Sequence, residues 1–221
     1  MGIVDLNSIK GVIFDLDGTL LDSMPLWGHI EADYLISLGV TPRPGMSLDL
    51  RSLGGDEVPV YFKAEYGLSE SVAEIGAGIN GLAEFFYLHR VPLKDGVISV
   101  LDYLHERGMK MCIATATDRC LVEPALRRCG IDGYFGRIFT CNEVGVGKSS
   151  PEIYIRAAAY LETGISGALV VEDALYAMKS AKRAGFPIAA VYDRSADDQQ
   201  DEIRALCDIY MKSLGELFTY F

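Results

Sequence analysis

The stretch Lys10–Asp22 reads KGVIFDLDGTLLD. Its apolar run, Gly11–Phe14, ends abruptly in two carboxylates one residue apart, Asp15 and Asp17. A run of this length bounded by turn residues predicts a strand buried in a parallel sheet. Ligands of open α/β sheets bind just beyond the carboxyl ends of the strands. The sequence therefore predicts a functional site at these two acids.

The spacing of the two acids limits what that site can hold. Side chains two residues apart on an extended chain point the same way, so Asp15 and Asp17 can face one site. Two like charges this close repel each other unless a cation joins them or one acid holds a proton. The first option predicts a divalent metal with oxygen ligands, and Mg²⁺ is the ion we expect. The structural alternative is that the acids only cap the next helix.

The pattern of apolar residues changes character at Pro92. Before it the spacing is helical, and helices are predicted over residues 24–38, 48–53, 58–66, 69–77 and 79–88. After it strand-like runs alternate with helices, with strands predicted at 110–114, 137–141, 168–171, 187–191 and 208–211. This alternation predicts a doubly wound, Rossmann-like parallel sheet. We expect an α/β core over residues 1–22 and 90–221, and a small all-helical cap domain over 23–89 inserted after the first strand.

Polar residues follow four of the predicted strands, all on the rim that carries the first acid. They are Asp15 with Asp17, Thr115, Lys148, and Glu172 with Asp173. Transfer of a phosphoryl group needs such a set, because a nucleophile must approach an anion and the charge of the transition state must be neutralised. Taken singly, each of these residues could have only a structural role, the acids and Thr115 as caps at the ends of helices or strands and Lys148 as a solvated surface residue.

The segment Asp15–Thr19, DLDGT after an apolar strand, resembles the first motif of the haloacid dehalogenase superfamily of phosphatases and phosphomutases. The order and spacing of the other polar clusters resemble the remaining motifs of that superfamily over nearly the whole chain. The helical insertion is similar to the cap of the β-phosphoglucomutase-like group. The resemblance implies a Mg²⁺-dependent phosphatase that hydrolyses a small phosphomonoester, a sugar phosphate or similar metabolite, through an aspartyl-phosphate.

The same resemblance implies a role for each site residue. Asp15 is the nucleophile, and Asp17 is the general acid and base. The residues that bind phosphate are Thr115, Ala116 and Lys148. The residues of the metal site are Asp15, Asp17, Asp173 and, in support, Glu172. The segment Gly147–Glu152, GKSSPE, departs from the usual Gly-Lys-Pro-x-Pro-Asp form but keeps the lysine and the second proline.

The alternative within the superfamily is a sugar phosphomutase. The mutases that resemble this group carry a His in the first cap helix, where this chain has Trp27, and an Arg in the cap loop near Leu53–Asp56. Neither is matched here, although Arg51 lies close to that loop, and both differences favour a hydrolase. The residues that we expect to contact substrate are Trp27, Arg51 and Arg119.

Three further readings compete with this one. Gly145–Ser149 resembles the end of a nucleotide-binding P-loop, but the full pattern needs a glycine where the chain has Asn142. A receiver-like switch also combines a phosphorylated Asp with a Thr, a Lys and an acidic pair, but it is shorter and has no cap. A dehalogenase does not need the second acid, so Asp17 argues against that activity.

The composition of the chain limits which binding partners and which cellular compartment we expect. The formal net charge of −11 predicts a surface that repels nucleic acid and anionic membranes. No apolar stretch approaches the ~20 residues of a membrane span. The five cysteines contain no Cys-x-x-Cys pair, and with no secretory segment apparent we expect reduced thiols and a cytoplasmic location. The expected partner is a small phosphorylated metabolite, and the expected assembly is a monomer or weak dimer.

Overall fold

A computed structural model describes residues 8–46, 50 and 57–220. The chain divides into two compact units. The sheet unit contains the residues before Pro25 together with those from Val91 onward, and the helical unit is Pro25–Arg90. The short helix predicted at 48–53 and the candidate Arg51 lie outside the described residues, apart from Leu50.

A parallel sheet forms the centre of the sheet unit. Its strands are, in chain order, β1 (Gly11–Phe14), β2 (Lys110–Thr115), β3 (Arg137–Thr140), β4 (Ala168–Glu172), β5 (Ile188–Val191) and β6 (Ile209–Met211). Their order across the sheet is β3-β2-β1-β4-β5-β6, and all neighbouring strands are parallel. In this order β1 lies between β2 and β4, with Phe14 opposite Ile113 on one side and Val171 on the other. The predicted α/β doubly wound fold is confirmed.

The α-helices of the described residues occur in both units. In chain order they are α1 (Met24–Trp27), α2 (Ile30–Ser37), α3 (Val58–Tyr66), α4 (Val72–His89), α5 (Val97–Glu106), α6 (Arg119–Cys129), α7 (Cys141–Val144), α8 (Glu152–Leu161), α9 (Leu175–Arg183) and α10 (Gln200–Leu206). In the described residues, no helix has both the length and the apolar character that crossing a bilayer requires.

The core of the sheet unit explains the continuous apolar run of β1. Ile13 packs in a cluster that includes Ile153 of α8 and Met178 of α9. Val12 and Phe14 point to the opposite face, because side chains alternate along a strand, and they are fully buried as well. Since both faces of β1 are covered, every position of the strand favours an apolar residue.

The helical unit has its own apolar core, formed mainly by α2, α3 and α4. Its buried residues include Tyr34 and Leu35 of α2, Phe62 of α3 and Ile75 of α4. A capping box at Ser71 starts α4: the Ser71 hydroxyl accepts from the Glu74 N–H, and the Glu74 carboxylate accepts from the Ser71 N–H.

Three of the predicted helices, those over 24–38, 69–77 and 79–88, have wrong bounds. The helix predicted over 24–38 is two helices, α1 and α2, because the chain turns at Gly28–His29, where glycine weakens a helix. The helices predicted over 69–77 and 79–88 are one, α4. Gly78 does not break α4 but lies against Tyr34, whose ring atom Cε2 would be only 2.3 Å from a Cβ added at residue 78.

Candidate active site

The first acid is fixed by the sheet. Asp15 directly follows β1, and its N–H donates to the carbonyl of Val171 in β4 at 2.9 Å. Glu172 ends β4, and Asp173 follows it. The parallel order of β1 and β4 therefore brings these three acids to one rim. All three are buried, with exposures of 5 % for Asp15, 0 % for Glu172 and 4 % for Asp173.

Lys148 supplies the positive charge among these acids. Its Nζ donates to Asp15 Oδ1 and to Glu172 Oε1, the latter at 2.6 Å. The Ser180 hydroxyl donates to the Lys148 carbonyl and so fixes the backbone behind the side chain. Burial by itself would lower the pKa of Lys148, but the charges of Asp15 and Glu172 raise that pKa well above its ordinary value. Lys148 is therefore a fixed cation at the end of the strands.

Glu172 acts as the support of this arrangement. Its Oε1 accepts from Lys148 and from the Tyr154 hydroxyl, the second at 2.8 Å. Its Oε2 accepts from the N–H groups of Asp173 at 3.1 Å and Ala174 at 3.0 Å. Each carboxylate oxygen thus holds two donors, which fixes both the lysine and the turn that carries Asp173.

The three acids have the character of a cation site. Asp15, Glu172 and Asp173 each offer an oxygen, and these oxygens lie within 4.8 Å of one another. Burial, followed by the charge of Glu172, raises the pKa of Asp15 to about 7 in spite of Lys148. Burial and the charges of Glu172 and Asp15 also raise the pKa of Asp173 well above its ordinary value. Negative charge exceeds positive charge here, and an all-oxygen donor set fits a hard divalent cation such as Mg²⁺.

The glycine of the DLDGT segment is required by this crowding. Gly18 has a φ of +82°, which favours glycine. A Cβ added to it would lie 2.4 Å from Asp173 Oδ2. The neighbouring Thr19 is buried and its hydroxyl donates to Asp173 Oδ1 at 3.4 Å. The loop after Asp17 therefore lies too close to Asp173 for a side chain at residue 18.

Two hydroxyl groups hold the second acid. The Ser23 hydroxyl donates to Asp17 Oδ1 at 2.7 Å, and the Thr117 hydroxyl donates to Asp17 Oδ2 at 2.6 Å. The sequence singled out neither Ser23 nor Thr117 as a site residue. The available signal for Thr117 was its place in the polar turn after β2, two residues beyond Thr115.

The turn after β2 contains the residues expected to bind phosphate. Thr115 ends β2 and is fully buried, and its hydroxyl accepts from the Thr117 N–H at 3.0 Å. Ala116 lies between them and is exposed. This turn therefore links the Thr115 hydroxyl, through Thr117, to the carboxylate of Asp17.

The substrate candidates are placed differently from the acids. Arg119 donates to both oxygens of Glu143, at 2.5 and 2.8 Å, and to Glu123 at 3.2 Å. Its guanidinium is thus engaged on the surface of the sheet unit. Trp27, in the helical unit, is half-buried and donates from Nε1 to the Tyr87 hydroxyl at 2.9 Å.

Comparison with known proteins gives a family for this arrangement. A family model described as haloacid dehalogenase-like hydrolase matches residues 9–185. The chain is 26 % identical over 213 residues to hexitol phosphatase B of Escherichia coli strain K12, covering 96 % of this chain and 95 % of the relative. It is also 26 % identical over 180 residues to the phosphorylated carbohydrates phosphatase of Thermotoga maritima, covering 80 % and 82 %.

The fold is similar to those of solved structures. One of them, a candidate β-phosphoglucomutase from Thermotoga maritima, superposes with a TM-score of 0.83 over 96 % of this chain and 97 % of that one. The sequence identity in this superposition is 22 %, so the similarity describes the fold.

Proposed function

Since the chain belongs to the haloacid dehalogenase-like hydrolases, we propose that it hydrolyses a small phosphorylated sugar or similar phosphomonoester with Mg²⁺ at the rim that carries Asp15. The predicted enzyme class, a phosphoric monoester hydrolase of this family, is confirmed by the family match and by relatives named as phosphatases. The observation that carries the finer proposal is the contact of a buried carboxylate, Asp15, with a buried cation, Lys148.

In the first step the Asp15 carboxylate attacks phosphorus, and the bond from phosphorus to the substrate oxygen breaks. Lys148, the Thr115 hydroxyl and the N–H of Ala116 bind the phosphoryl oxygens and offset their charge. Asp17, in its acid form, gives its proton to the leaving alkoxide. The products of this step are the free alcohol and phospho-Asp15.

In the second step Asp17 acts as the base. It accepts a proton from water while the water oxygen attacks the phosphorus of phospho-Asp15. The acyl phosphate breaks, inorganic phosphate leaves, and both carboxyl groups return to their starting states. The hydroxyls of Ser23 and Thr117 support this role, because they hold both oxygens of Asp17.

The metal site that we propose uses the same acids. Asp15, Asp173 and the Asp17 carbonyl would hold Mg²⁺, and Glu172 would support them through its contacts with Lys148 and the 173–174 turn. When bound, the ion would neutralise charge between the phosphate and the carboxylates. Its fit rests on the buried oxygens of Asp15, Glu172 and Asp173, which lie within 4.8 Å of one another. The raised pKa values of Asp15 and Asp173 agree with this, since excess negative charge is what a cation relieves.

The names of two relatives support the proposed substrate class. Hexitol phosphatase B and the phosphorylated carbohydrates phosphatase are named for sugar-type phosphomonoesters. We assign the choice among such substrates to the helical unit, with Trp27 and Arg51 as candidate contacts and Arg119 as a weaker one because of its ion pairs. We further propose a cytoplasmic monomer or weak dimer with no nucleic-acid partner.

Product analysis tests the hydrolase against the mutase. The wild-type protein is incubated with Mg²⁺ and a panel of sugar phosphates, and released inorganic phosphate is measured. A parallel reaction contains β-glucose 1-phosphate and a bisphosphate primer. Phosphate release from the panel supports the proposal. Efficient formation of glucose 6-phosphate with little free phosphate would overturn it, as would the absence of turnover on the whole panel.

A further inference from the structure

A second lysine contacts the catalytic loop from outside the acid cluster. Lys94 Nζ donates to the Gly18 carbonyl at 2.7 Å, to the Tyr192 carbonyl at 2.9 Å and to Asp193 Oδ2 at 2.7 Å. An ammonium group has three donors, so all of them are used. The Lys94 side chain is 15 % exposed and that of Asp193 is 6 % exposed. This partly buried ion pair therefore holds a defined geometry.

The backbone around Lys94 also forms hydrogen bonds with the loop that follows Asp17. The Lys94 N–H donates to the Leu20 carbonyl at 2.9 Å. The preceding residue, Leu93, pairs with Leu21 in an antiparallel bridge, and the Asp22 N–H donates to the Pro92 carbonyl at 2.9 Å. Main chain and side chain of Lys94 thus bind two carbonyls of the segment that follows Asp17.

The contact at Gly18 affects the acids directly. The Gly18 carbonyl and the Thr19 N–H belong to one planar trans peptide, so fixing the carbonyl on Lys94 points that N–H the opposite way. Gly18 lies so close to Asp173 that there is no room for a Cβ, and Thr19 donates to the same carboxylate. A small rotation of this peptide would therefore change the clearance around Asp173.

Asp193 is built to keep Lys94 in place. Its Oδ1 accepts from the Ser195 N–H at 2.9 Å while its Oδ2 accepts from Lys94. Burial would raise the pKa of Asp193, but the hydrogen bonds from Lys94 and Ser195 bring it below its ordinary value. The carboxylate stays ionised, and its position is set by the loop after β5.

We propose that Lys94 and Asp193 are positioning residues for the reaction, which fix the Gly18–Thr19 peptide and thereby the spacing of Asp17 and Asp173. This inference rests on the proposed function, since it concerns the same site. It assigns no contact with substrate to either residue. A purely structural ion pair would stabilise the fold and leave the chemical step unchanged.

A second Lys–Asp pair provides a matched control at the other end of β5. Lys182 Nζ lies 2.6 Å from Asp208 Oδ2, and Asp208 also accepts from the Ile188 N–H at 2.8 Å. Ile188 begins β5, whereas Asp193 follows its end. Lys182→Met removes the same charge and a similar ion pair without touching the catalytic loop.

The first measurement compares steady-state kinetics of Lys94→Met, Asp193→Asn and Lys182→Met on a phosphomonoester, below the melting temperature of each. For Lys94→Met we expect kcat to fall by about 30-fold to 100-fold with a much smaller change in KM, because misplacing reacting groups affects the chemical step. Asp193→Asn leaves Lys94 two carbonyl partners, so its kcat should fall less. Lys182→Met should lower the melting temperature and keep kcat.

The second measurement does not depend on turnover. Hydrogen exchange of the peptide spanning residues 15–24 should be faster in Lys94→Met and Asp193→Asn than in wild type, and unchanged in Lys182→Met. If wild type hydrolyses nothing, the proposed function fails while exchange still tests the anchoring. The inference is overturned if kcat and exchange in Asp193→Asn and Lys94→Met match those of Lys182→Met. Should Lys94→Met not fold, Asp193→Asn alone decides by the same two readouts.

Discussion

The two units of this protein differ in the polar side chains that they bury. Every buried residue in the described part of Pro25–Arg90 is apolar or aromatic, and the described buried charges and small hydroxyls all belong to the sheet unit. These residues are Asp15, Thr19, Ser23, Thr115, Thr140, Lys148, Glu172, Asp173, Ser180 and Asp193. Burial of charge is unfavourable unless each group is paired. The buried charges of the sheet unit therefore oppose its folding unless they are paired, and the described core of the helical unit contains no such charges.

That difference separates two requirements of an enzyme. The sheet unit must hold fixed charges at set distances, which only a rigid hydrogen-bonded rim provides. The helical unit needs a stable apolar core and leaves its surface positions open to change. We therefore expect substitutions in the rim to affect turnover far more than stability, and substitutions in the helical core to affect stability alone.

The largest effect is expected for Asp15→Asn. The amide keeps the shape of the side chain but cannot form the phosphoenzyme, so kcat should fall by about 10⁶-fold, the scale seen when an enzyme loses its nucleophile. Phosphate release and trapping of labelled phosphate on the protein would measure this. A variant with near-normal turnover would rule out the covalent mechanism. The circular dichroism spectrum of the variant should match that of wild type.

A smaller loss is expected for Asp17→Asn. Without this acid the alkoxide leaves unprotonated and water is not activated, so kcat should fall by roughly 10²–10⁴-fold. The loss should be smallest for substrates with good leaving groups, since they need no proton. Equal losses for good and poor leaving groups would contradict the acid role of Asp17.

Metal removal and pH probe the crowding of the acids. Folding raises the pKa of Asp15 from 3.8 to about 7, so the folded protein keeps this proton at pH values where the unfolded chain has lost it. The contribution of Asp15 to the free energy of unfolding is therefore greatest at low pH and is lost as pH rises towards about 7. In excess chelator the melting temperature should therefore fall over that interval, and Asp15→Asn should reduce the fall. Excess Mg²⁺ should raise the melting temperature most at the alkaline end. A Mg²⁺ effect that is the same at every pH would contradict this account.

The smallest effects are expected in the helical unit and involve no chemistry. Gly78→Ala should lower the free energy of unfolding by about 1–3 kcal/mol, because the methyl group meets the buried ring of Tyr34. Gly81 lies on the same helix with open space around it, so Gly81→Ala should raise the free energy of unfolding by about 0.5–1 kcal/mol. Chemical denaturation measures both. Changes of the same sign would show that the Tyr34 contact does not decide the outcome.

Much of this organisation could be predicted from the sequence, because local patterns encode it. Apolar runs ending in polar residues located the strands, and the parallel order then assigned Asp15, Thr115, Glu172 and Asp173 to one rim. The family resemblance of the DLDGT segment is confirmed by the family match. These features need only short-range periodicity and a rule about strand ends.

The missed features depend on contacts between distant parts of the chain. Thr117 lies 100 residues from Asp17, and Lys94 lies 76 residues from Gly18, so neither hydrogen bond leaves a local signal. The prediction of two helices in place of α4 failed for the same reason. Glycine weakens a helix, and the local sequence does not show that Gly78 lies against Tyr34 of α2. A glycine in sequence does not reveal whether it breaks a helix or admits a neighbour.

The bridge between Leu21 and Leu93 has a consequence for how such a chain diversifies. The polypeptide leaves the sheet unit and re-enters it at paired positions, and partners in an antiparallel bridge lie about 4.5–5.5 Å apart at their Cα atoms. A short turn could span that gap, so the intervening residues form an exchangeable module. Insertions, deletions or wholesale replacement within it would leave the strand ends and their charges in register. Under the substrate role proposed above for the helical unit, such changes would alter substrate range and leave the acids and Lys148 in place.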